Sequence, residues 1–570
     1  MRKQTKLVAV LSATALMALG ASMASFAATG WQEEDGTWVY YAKDGSRVED
    51  EWKKSGDNWY YLDESGYMAV DMLVESGDDY YYVDENGVMV TNRWVAVENE
   101  DYDEDEEEPA NHWYYFQANG KALKGSDNKV SLKSINGKKY TFDEEGKMLY
   151  GWVNDDGSRE TGDDAWREGV YYFGDENDGA MTVGWMEISI IDDNASEDTK
   201  GFDADTAFTD EEQDRWFYFK TSGKKTINET GKTINGKKYA FDEYGRMVAE
   251  WRMNADPAKE VASDSNAFDA LSTAEKSQSW RFYGSPESGA RVNKGWFQVV
   301  PAEYLNSKDY DDDEANWYYS DSNGKLVASE FKTINGKKYA FDQYGAMISG
   351  LKFVTVENSN KNSIVAVHDD EWYDTEEKFT AFVNGEDYNT EDGVAPDFTG
   401  ESGNTTYCYF FGKDEDGSLK TGTQTIDLDG ENFSFLFTKS GSTKGAGKNG
   451  EDNDKYYQQG KLLKADKEDK YSVVEIQKNE DGKIIGMKLL TTDEFINGTM
   501  SKEEVIESGV KYDEDRVYYS FKAQNAETGF EYKLVNTSGK VVDNKSNAKD
   551  GDDFIYEVKG GKIKAVYEKN

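Results

Sequence analysis

The sequence predicts an all-β fold, a solenoid of stacked β-hairpin repeats carrying acidic loop insertions. Three observations lead there. First, three stretches nearly copy one another about one hundred residues apart: Ser134–Tyr140, Thr233–Tyr239 and Thr333–Tyr339, sharing Ile-Asn-Gly-Lys-Lys-Tyr and running on through Phe-Asp to a Gly and a Met. Second, a shorter unit recurs near the start. Trp31 and Trp52 are 21 residues apart, as are Trp38, Trp59 and Tyr80, Gly45, Gly66 and Gly87, and Met68 and Met89. Third, aromatic residues make up 14% of the chain and only 5 residues are proline, which fits a packed repeat array and not a Pro-rich stalk.

Each part of the unit has a physical reading. Trp59-Tyr60-Tyr61-Leu62 has the aromatic preference of a strand. Asp63-Glu64-Ser65-Gly66 is a turn, and Tyr67 to Val70 begins the return. Alternation puts Trp59 and Tyr61 on one side and Tyr60 on the other. One side is expected to face a core, leaving some rings outside. A lone hairpin buries too little surface to be stable, so neighbours must stack.

Further along, the unit recurs with insertions. Gly151-Trp152 leads to Tyr171-Tyr172-Phe173, Gly184-Trp185 to Trp216-Phe217-Tyr218-Phe219, Trp251 to Trp280, and Gly295-Trp296 to Trp317-Tyr318-Tyr319. The acidic inserts Glu98 to Glu108, Asp192 to Asp214 and Asp309 to Glu314 are expected to lengthen hairpins or loops on one side. Residues 257–279 suggest a short helix. Ser501-Lys502-Glu503-Glu504 matches a capping box, which predicts another. Residues 426–570 read either as degenerate repeats or as a small α+β cap. The expected divisions are a signal peptide at 1–27, N-terminal repeats at 28–150, repeats with acidic insertions at 151–351, degenerate repeats with a long insertion at 352–425, and the C-terminal part at 426–570.

The bulk numbers exclude several classes of function. The formal net charge is −47, and residues 1–27 contribute three basic and no acidic residues, so the remainder stands near −50 (−47 − 3). Phosphate binding needs Lys and Arg clusters, so nucleic acid is not an expected partner. Arg2, Lys3 and Lys6 precede an apolar run from Leu7 to Gly20, and Ser25-Phe26-Ala27 fits a small-x-small cleavage site. Secretion is therefore expected, with no membrane span in the mature chain. Cys408, the only cysteine, rules out a disulfide framework and reads as a buried thiol in a strand. His112 and His368 have no ligand-spaced partners and read as exposed bystanders. The acidic runs lack the Gly and Glu spacing of a calcium loop. Nothing in the chain implies a cofactor, a metal site or a catalytic constellation, and it reads as non-catalytic.

The pattern Gly-Trp, spacer, Trp-Tyr-Tyr, Gly-x-Met and again Gly-Trp resembles the cell-wall-binding, or choline-binding, repeat of Gram-positive surface proteins. The resemblance covers about residues 30–350 well and 350–440 loosely. It implies shallow sites between successive hairpins, each lined by about three aromatic rings. The implied partners are cell-wall teichoic acid bearing phosphocholine, choline itself or a wall glycan, and the implied location is the cell wall. Carried over position by position, the candidate ligand-binding residues are Trp31, Trp38, Trp52, Trp59, Trp94, Trp113, Trp152, Trp185, Trp216, Trp251, Trp280, Trp296 and Trp317. An adhesin for host or dietary polysaccharide is the alternative. The Ile-Asn-Gly-Lys-Lys-Tyr units lack a leading Trp and are expected to act as spacers, with the Met residues as core.

Overall fold

The computed structural model describes residues 29–100, 102, 108–195, 207–253, 272–386, 394–413, 416–503, 518–521, 529–551 and 553–568. The expected signal peptide therefore lies outside the described residues, as does most of the acidic run from Asp101 to Glu108. No helix among the described residues is long and apolar enough to cross a membrane. Two compact units are drawn from Met1–Glu197, Ala207–Val248 and Ser285–Ala290, and from Asp198–Thr206, Ala249–Gly284 and Arg291–Asn570.

The first unit is a run of antiparallel hairpins in chain order. Gly30–Glu34 pairs with Thr37–Tyr41, Glu51–Ser55 with Asn58–Leu62, Met72–Ser76 with Asp79–Val83, and Arg93–Glu98 with Asn111–Phe116. Lys133–Ile135 then pairs with Lys138–Tyr140, Trp152–Val153 with Tyr171–Tyr172, Gly184–Ile191 with Glu212–Phe219, and Glu229–Ile234 with Lys237–Phe241. The second unit continues with Trp251–Met253 on Trp280–Phe282, Gly295–Val299 on Asn316–Ser320, and Glu330–Ile334 on Lys337–Phe341. The Asn-Gly pair of each compact copy forms the tip of its hairpin. Asn136 and Gly137 have φ of 49° and 85°, the left-handed pair that a two-residue hairpin turn demands.

Hairpins stack face to back, which corrects the expectation of one core-facing side. Tyr60 is 6% exposed and Tyr61 7%, although they point to opposite faces, while Trp59 keeps 40% of its surface. Each face of an inner hairpin is covered by a different neighbour, so rings from both alternating sets, Tyr60 and Tyr61 among them, are buried.

A repeated joint holds the stack. After its aromatic strand the chain makes an Asp-led turn. Asp63 Oδ1 accepts from the N–H groups of Ser65 and Tyr67, and Asp84 Oδ1 from those of Asn86 and Val88. The following Met then donates its N–H to the preceding hairpin: Met68 to the Trp38 carbonyl at 2.8 Å, Met89 to Trp59 at 2.9 Å, Met148 to Trp113, Met247 to Trp216 and Met347 to Trp317, each at 2.8 Å. The Met side chain lies against a glycine of the next turn, Met68 on Gly87, Met89 on Gly120, Met148 on Gly179 and Met247 on Gly289.

The insertions behave variously. Asp192 to Asp214 extends a hairpin to eight residues a strand, as expected. Thr273–Ser279 is the helix expected in 257–279, with a capping box between Ser272 and Glu275. Asp309 to Glu314 is not simply a loop. Ser307–Asp311 is helical and capped by Asn306, and the Asp309 carboxylate accepts from the Asn306 and Asn316 amides. Ser501 does not start a helix, because Met500–Glu503 is a strand paired with Tyr518–Phe521, and the rest of the expected helix, from Glu504 onward, lies outside the described residues. A helix forms just before this strand, at Thr492–Thr499, where Glu494 accepts from the Thr491 N–H and hydroxyl.

Beyond Leu351 the hairpins give way to wider sheets. Leu351–Glu357 lies between Ile364–Val367 and Asn404–Phe410. A five-stranded sheet takes in Glu431–Phe437 and Lys455–Gln458, a three-stranded sheet takes in Tyr471–Lys478, and a second five-stranded sheet holds Phe554–Lys559 and Lys562–Glu568. Cys408 is fully buried, as expected, and burial raises its thiol pKa. The histidines are not exposed bystanders. Both are half-buried, and the His368 Nε2 lies 2.8 Å from the Thr355 hydroxyl.

Candidate functional site: ring cages between hairpins

Stacking brings the same residue types together at successive joints. The Trp opening a hairpin packs edge-on, or at Trp52 tilted, against the Tyr across its own strand pair. It also packs against the middle aromatic of the next hairpin. Trp31 meets Tyr40 and Tyr60, both at 5.4 Å between centroids. Trp52 meets Tyr61 at 5.1 Å and Tyr81 at 5.0 Å. Trp94 meets Tyr115 at 5.3 Å and Tyr140 at 4.9 Å. Trp185 meets Tyr218 at 5.2 Å and Tyr239 at 4.9 Å, and Trp296 meets Tyr319 at 5.1 Å and Tyr339 at 4.9 Å. Such edge-on pairs contribute about 0.5–1.5 kcal/mol each beyond area burial.

The leading Trp of the aromatic strand completes each group. Trp216 lies 6.3 Å from Trp185 at 83°, and Trp317 lies 6.4 Å from Trp296 at 81°. Trp113 packs with Trp94 against the cluster around Met148. Trp38 and Trp59 stand two residues before Tyr40 and Tyr61, on the same strand face, and their carbonyls take the Met68 and Met89 N–H groups. The same two Trp, one Tyr and one Met recur at five joints: Trp31/Trp38/Tyr60/Met68, Trp52/Trp59/Tyr81/Met89, Trp94/Trp113/Tyr140/Met148, Trp185/Trp216/Tyr239/Met247 and Trp296/Trp317/Tyr339/Met347; in the last three the four side chains pack together as a cage, and in the first two they stand at the equivalent positions. All ten of these tryptophans keep part of their surface exposed.

The other three candidate tryptophans are placed differently. Trp152 is 7% exposed, Trp251 3% and Trp280 1%. Trp251 donates its indole N–H to the Val300 carbonyl at 2.8 Å, and Ala302 and Leu305 from the following insertion join its cluster. Trp152 lies in a cluster with Ala165 and Trp166 of its own insertion.

The compact copies are more than spacers. Tyr140, Tyr239 and Tyr339 are the last residues of the three Ile-Asn-Gly-Lys-Lys-Tyr stretches, and each supplies the third ring of a cage whose tryptophans come from the hairpin before. Their Met residues supply a wall. The sequence carried that signal: Tyr140, Tyr239 and Tyr339 stand at the offset from Phe and Met that Tyr60 holds from Leu62 and Met68. What hid it is that a cage is divided between two hairpins.

Electrostatics differ between turns. Asp342 opens the turn that positions Met347, its Oδ1 accepting from the Tyr344 and Ala346 N–H groups. Burial, helped by nearby Asp309, pushes its pKa up to about 7. Burial likewise pushes Asp143, which precedes Met148, up to about 6. An Asp raised from 3.8 holds its proton longer when folded, so its contribution is fully present below about pH 4 and is lost as pH rises through about 7. Asp342→Asn keeps the acceptor, since Asn536 Oδ1 already accepts from Ser538 and Lys540 N–H groups in the same kind of turn. Thermal melts of this variant are expected to lose part of the decline between pH 4 and 7. A profile identical to that of the unaltered chain would refute the assignment.

A family model described as a choline-binding repeat matches residues 28–71 and 48–94, and one described as a putative cell wall binding repeat matches 110–122 and 312–326. The chain carries choline-binding repeats. The first two cages lie within the matched choline-binding repeats, and the matched segments at 110–122 and 312–326 contain Trp113 and Trp317. A curated relative, glucosyltransferase-S of Streptococcus mutans serotype c, is 23% identical over 269 residues, 42% of this chain and 16% of that protein. The chain thus spans well under two thirds of that relative's length. Among solved structures, the autolysin LytC of Streptococcus pneumoniae with a synthetic peptidoglycan ligand is 17% identical, with 57% of this chain and 54% of that chain covered and a TM-score of 0.29. CbpJ of the same organism is 19% identical, with 56% and 100% covered and a TM-score of 0.23, and choline-binding protein F 16%, with 77% and 100% and 0.20.

Proposed function

We propose that this chain is a secreted, non-catalytic, wall-associated protein that holds choline-bearing cell-wall polymer, such as teichoic acid, in its choline-binding repeats. The observation that carries the reading is the fivefold recurrence of two partly exposed tryptophans beside one Tyr and one Met. A quaternary ammonium cannot donate hydrogen bonds, and ring faces hold it by cation–π attraction of about 0.5–2 kcal/mol per contact. Five weak sites on one chain multiply into retention on a polymer that repeats its ligand. A net charge of −47 draws cations in from a distance. The proposed organisation keeps a signal peptide at 1–27 and places the binding repeats within 28–351.

Calorimetric titration of the mature chain with choline is expected to count about five sites, and choline-bearing walls to pellet the protein until free choline releases it. Failure to pellet, or pelleting that choline leaves untouched, would overturn the reading. The match to glucosyltransferase-S favours a second reading, recognition of a polysaccharide by the same rings. Retention on dextran beads that choline does not disturb would select it.

A further inference from the structure

The joint at Trp152 reproduces the ring geometry of the open cages and fills it from within. Trp152 meets its cross-strand Tyr172 at 5.1 Å and Phe217 of the next hairpin at 5.2 Å, with Phe219 at 5.9 Å. These are the contacts that Trp94 makes with Tyr115, Tyr140 and Phe142. Two positions differ. The residue whose carbonyl receives the joint hydrogen bond is Val170 instead of a Trp, and the donor is Lys225 instead of a Met, at 2.7 Å. Phe219 bridges to Lys225 as Phe142 bridges to Met148. A ring has been lost and a cation gained at equivalent places in one joint.

We infer that Lys225 is a built-in ligand: its ammonium occupies the Trp152 cage as the choline cation would occupy the five open ones, so this cage takes no external ligand and instead fastens its own insertion. The inference rests on the choline reading of the open cages. The Lys225 Nζ lies 5.0 Å from the Trp152 ring centroid and 6.0 Å from that of Phe217. It donates to the Trp166 carbonyl at 2.6 Å and lies 3.4 Å from that of Arg167. Both carbonyls belong to the short helix Ala165–Glu168 of the insertion. Lys225 is 6% exposed. Burial lowers its pKa to about 8, with Asp242 and Glu168 opposing the fall, so it remains mainly charged at neutral pH. Unlike the choline methyl groups, the ammonium has N–H donors, and the two carbonyls use them.

The insertion reinforces the closure. The Trp166 indole N–H donates to the Ile191 carbonyl at 2.9 Å. The Trp166 ring has the Arg167 guanidinium at 4.7 Å and that of Arg246 at 4.8 Å.

The test is chemical rescue of the full chain, read as thermal stability without choline. Lys225→Ala removes the ammonium and the three methylenes beyond Cβ, and n-butylammonium resupplies the ammonium on a stem one methylene longer. Its melting temperature is expected to rise with n-butylammonium by about 2–4 °C more than that of the unaltered chain at the same concentration. The neutral isostere n-butanol is expected not to reproduce the difference. Equal rises in both proteins, or equal effects of amine and alcohol, would overturn the inference. Lys225→Met restores the residue found at the open joints and keeps the bulk. It is expected to melt lower than the unaltered chain and to show no such rescue. Should Lys225→Ala not fold, a Met variant as stable as the unaltered chain would itself defeat the proposal. The unaltered chain carries the five open cages in every arm, so their failure to bind choline leaves this readout intact.

Discussion

Trp251→Ala is expected to cost about 3–5 kcal/mol of stability while leaving the number of choline sites unchanged. Its indole is 3% exposed, touches Trp280, Phe282, Phe297 and Tyr318, and donates to Val300. Truncation leaves a cavity among rings and an unpaired carbonyl. Trp216→Ala is the counterpart. That ring is half-buried and faces Trp185 across an open cage, so its loss is expected to remove one site from the choline count at a smaller cost in stability. Denaturant unfolding and calorimetric titration of both variants separate the two roles. A Trp251→Ala chain that unfolds like the parent but has lost a site would place ligand at the buried joint and overturn the distinction between the two tryptophans.

Gly289→Ala is the second large effect, at about 2–4 kcal/mol. Gly289 has φ of +56°, a left-handed conformation that L side chains occupy at a cost. An added Cβ would also run into the sulfur and Cε of Met247, and Met247 is 2% exposed with no room to retreat. Because Met247 lines the Trp185 cage, the same substitution is expected to weaken that site. A double-mutant cycle resolves the two causes. In a Met247→Ala background, Gly289→Ala should cost only the backbone strain, about 1–2 kcal/mol. An undiminished cost there would mean that the sulfur contact contributes nothing.

Much of the array was legible in the sequence because local chemistry and the global repeat agree. Asn-Gly at a hairpin tip, an Asp-led turn and a Met at fixed distance each have one local reading, and the structure uses all three. The cages were half legible. Their tryptophans announce themselves by spacing, whereas Tyr140, Tyr239 and Tyr339 belong to hairpins that carry no Trp. Burial was not legible at all. Trp185 and Trp251 occupy the same repeat position, and only the segment around Ala302 and Leu305, distant from Trp251 in sequence, decides that one is open and the other sealed. Met500–Glu503 shows the converse: the first three residues of a helix-start pattern lie in a strand, because pairing with Tyr518–Phe521 is available.

Face-to-back stacking also fixes how such a chain can evolve. A cage belongs to a gap, as spaces belong to a row of fence posts, and its two walls are encoded by different hairpins. Duplication of one hairpin therefore copies the front wall of one gap and the back wall of another, and yields a whole new gap only if the two are interchangeable. Interchangeability demands that every hairpin keep the same residues on both faces. At the gap flanked by Val170 and Lys225 both walls differ from those of the open gaps, so a copy of either flanking hairpin would set a mismatched wall against its new neighbour.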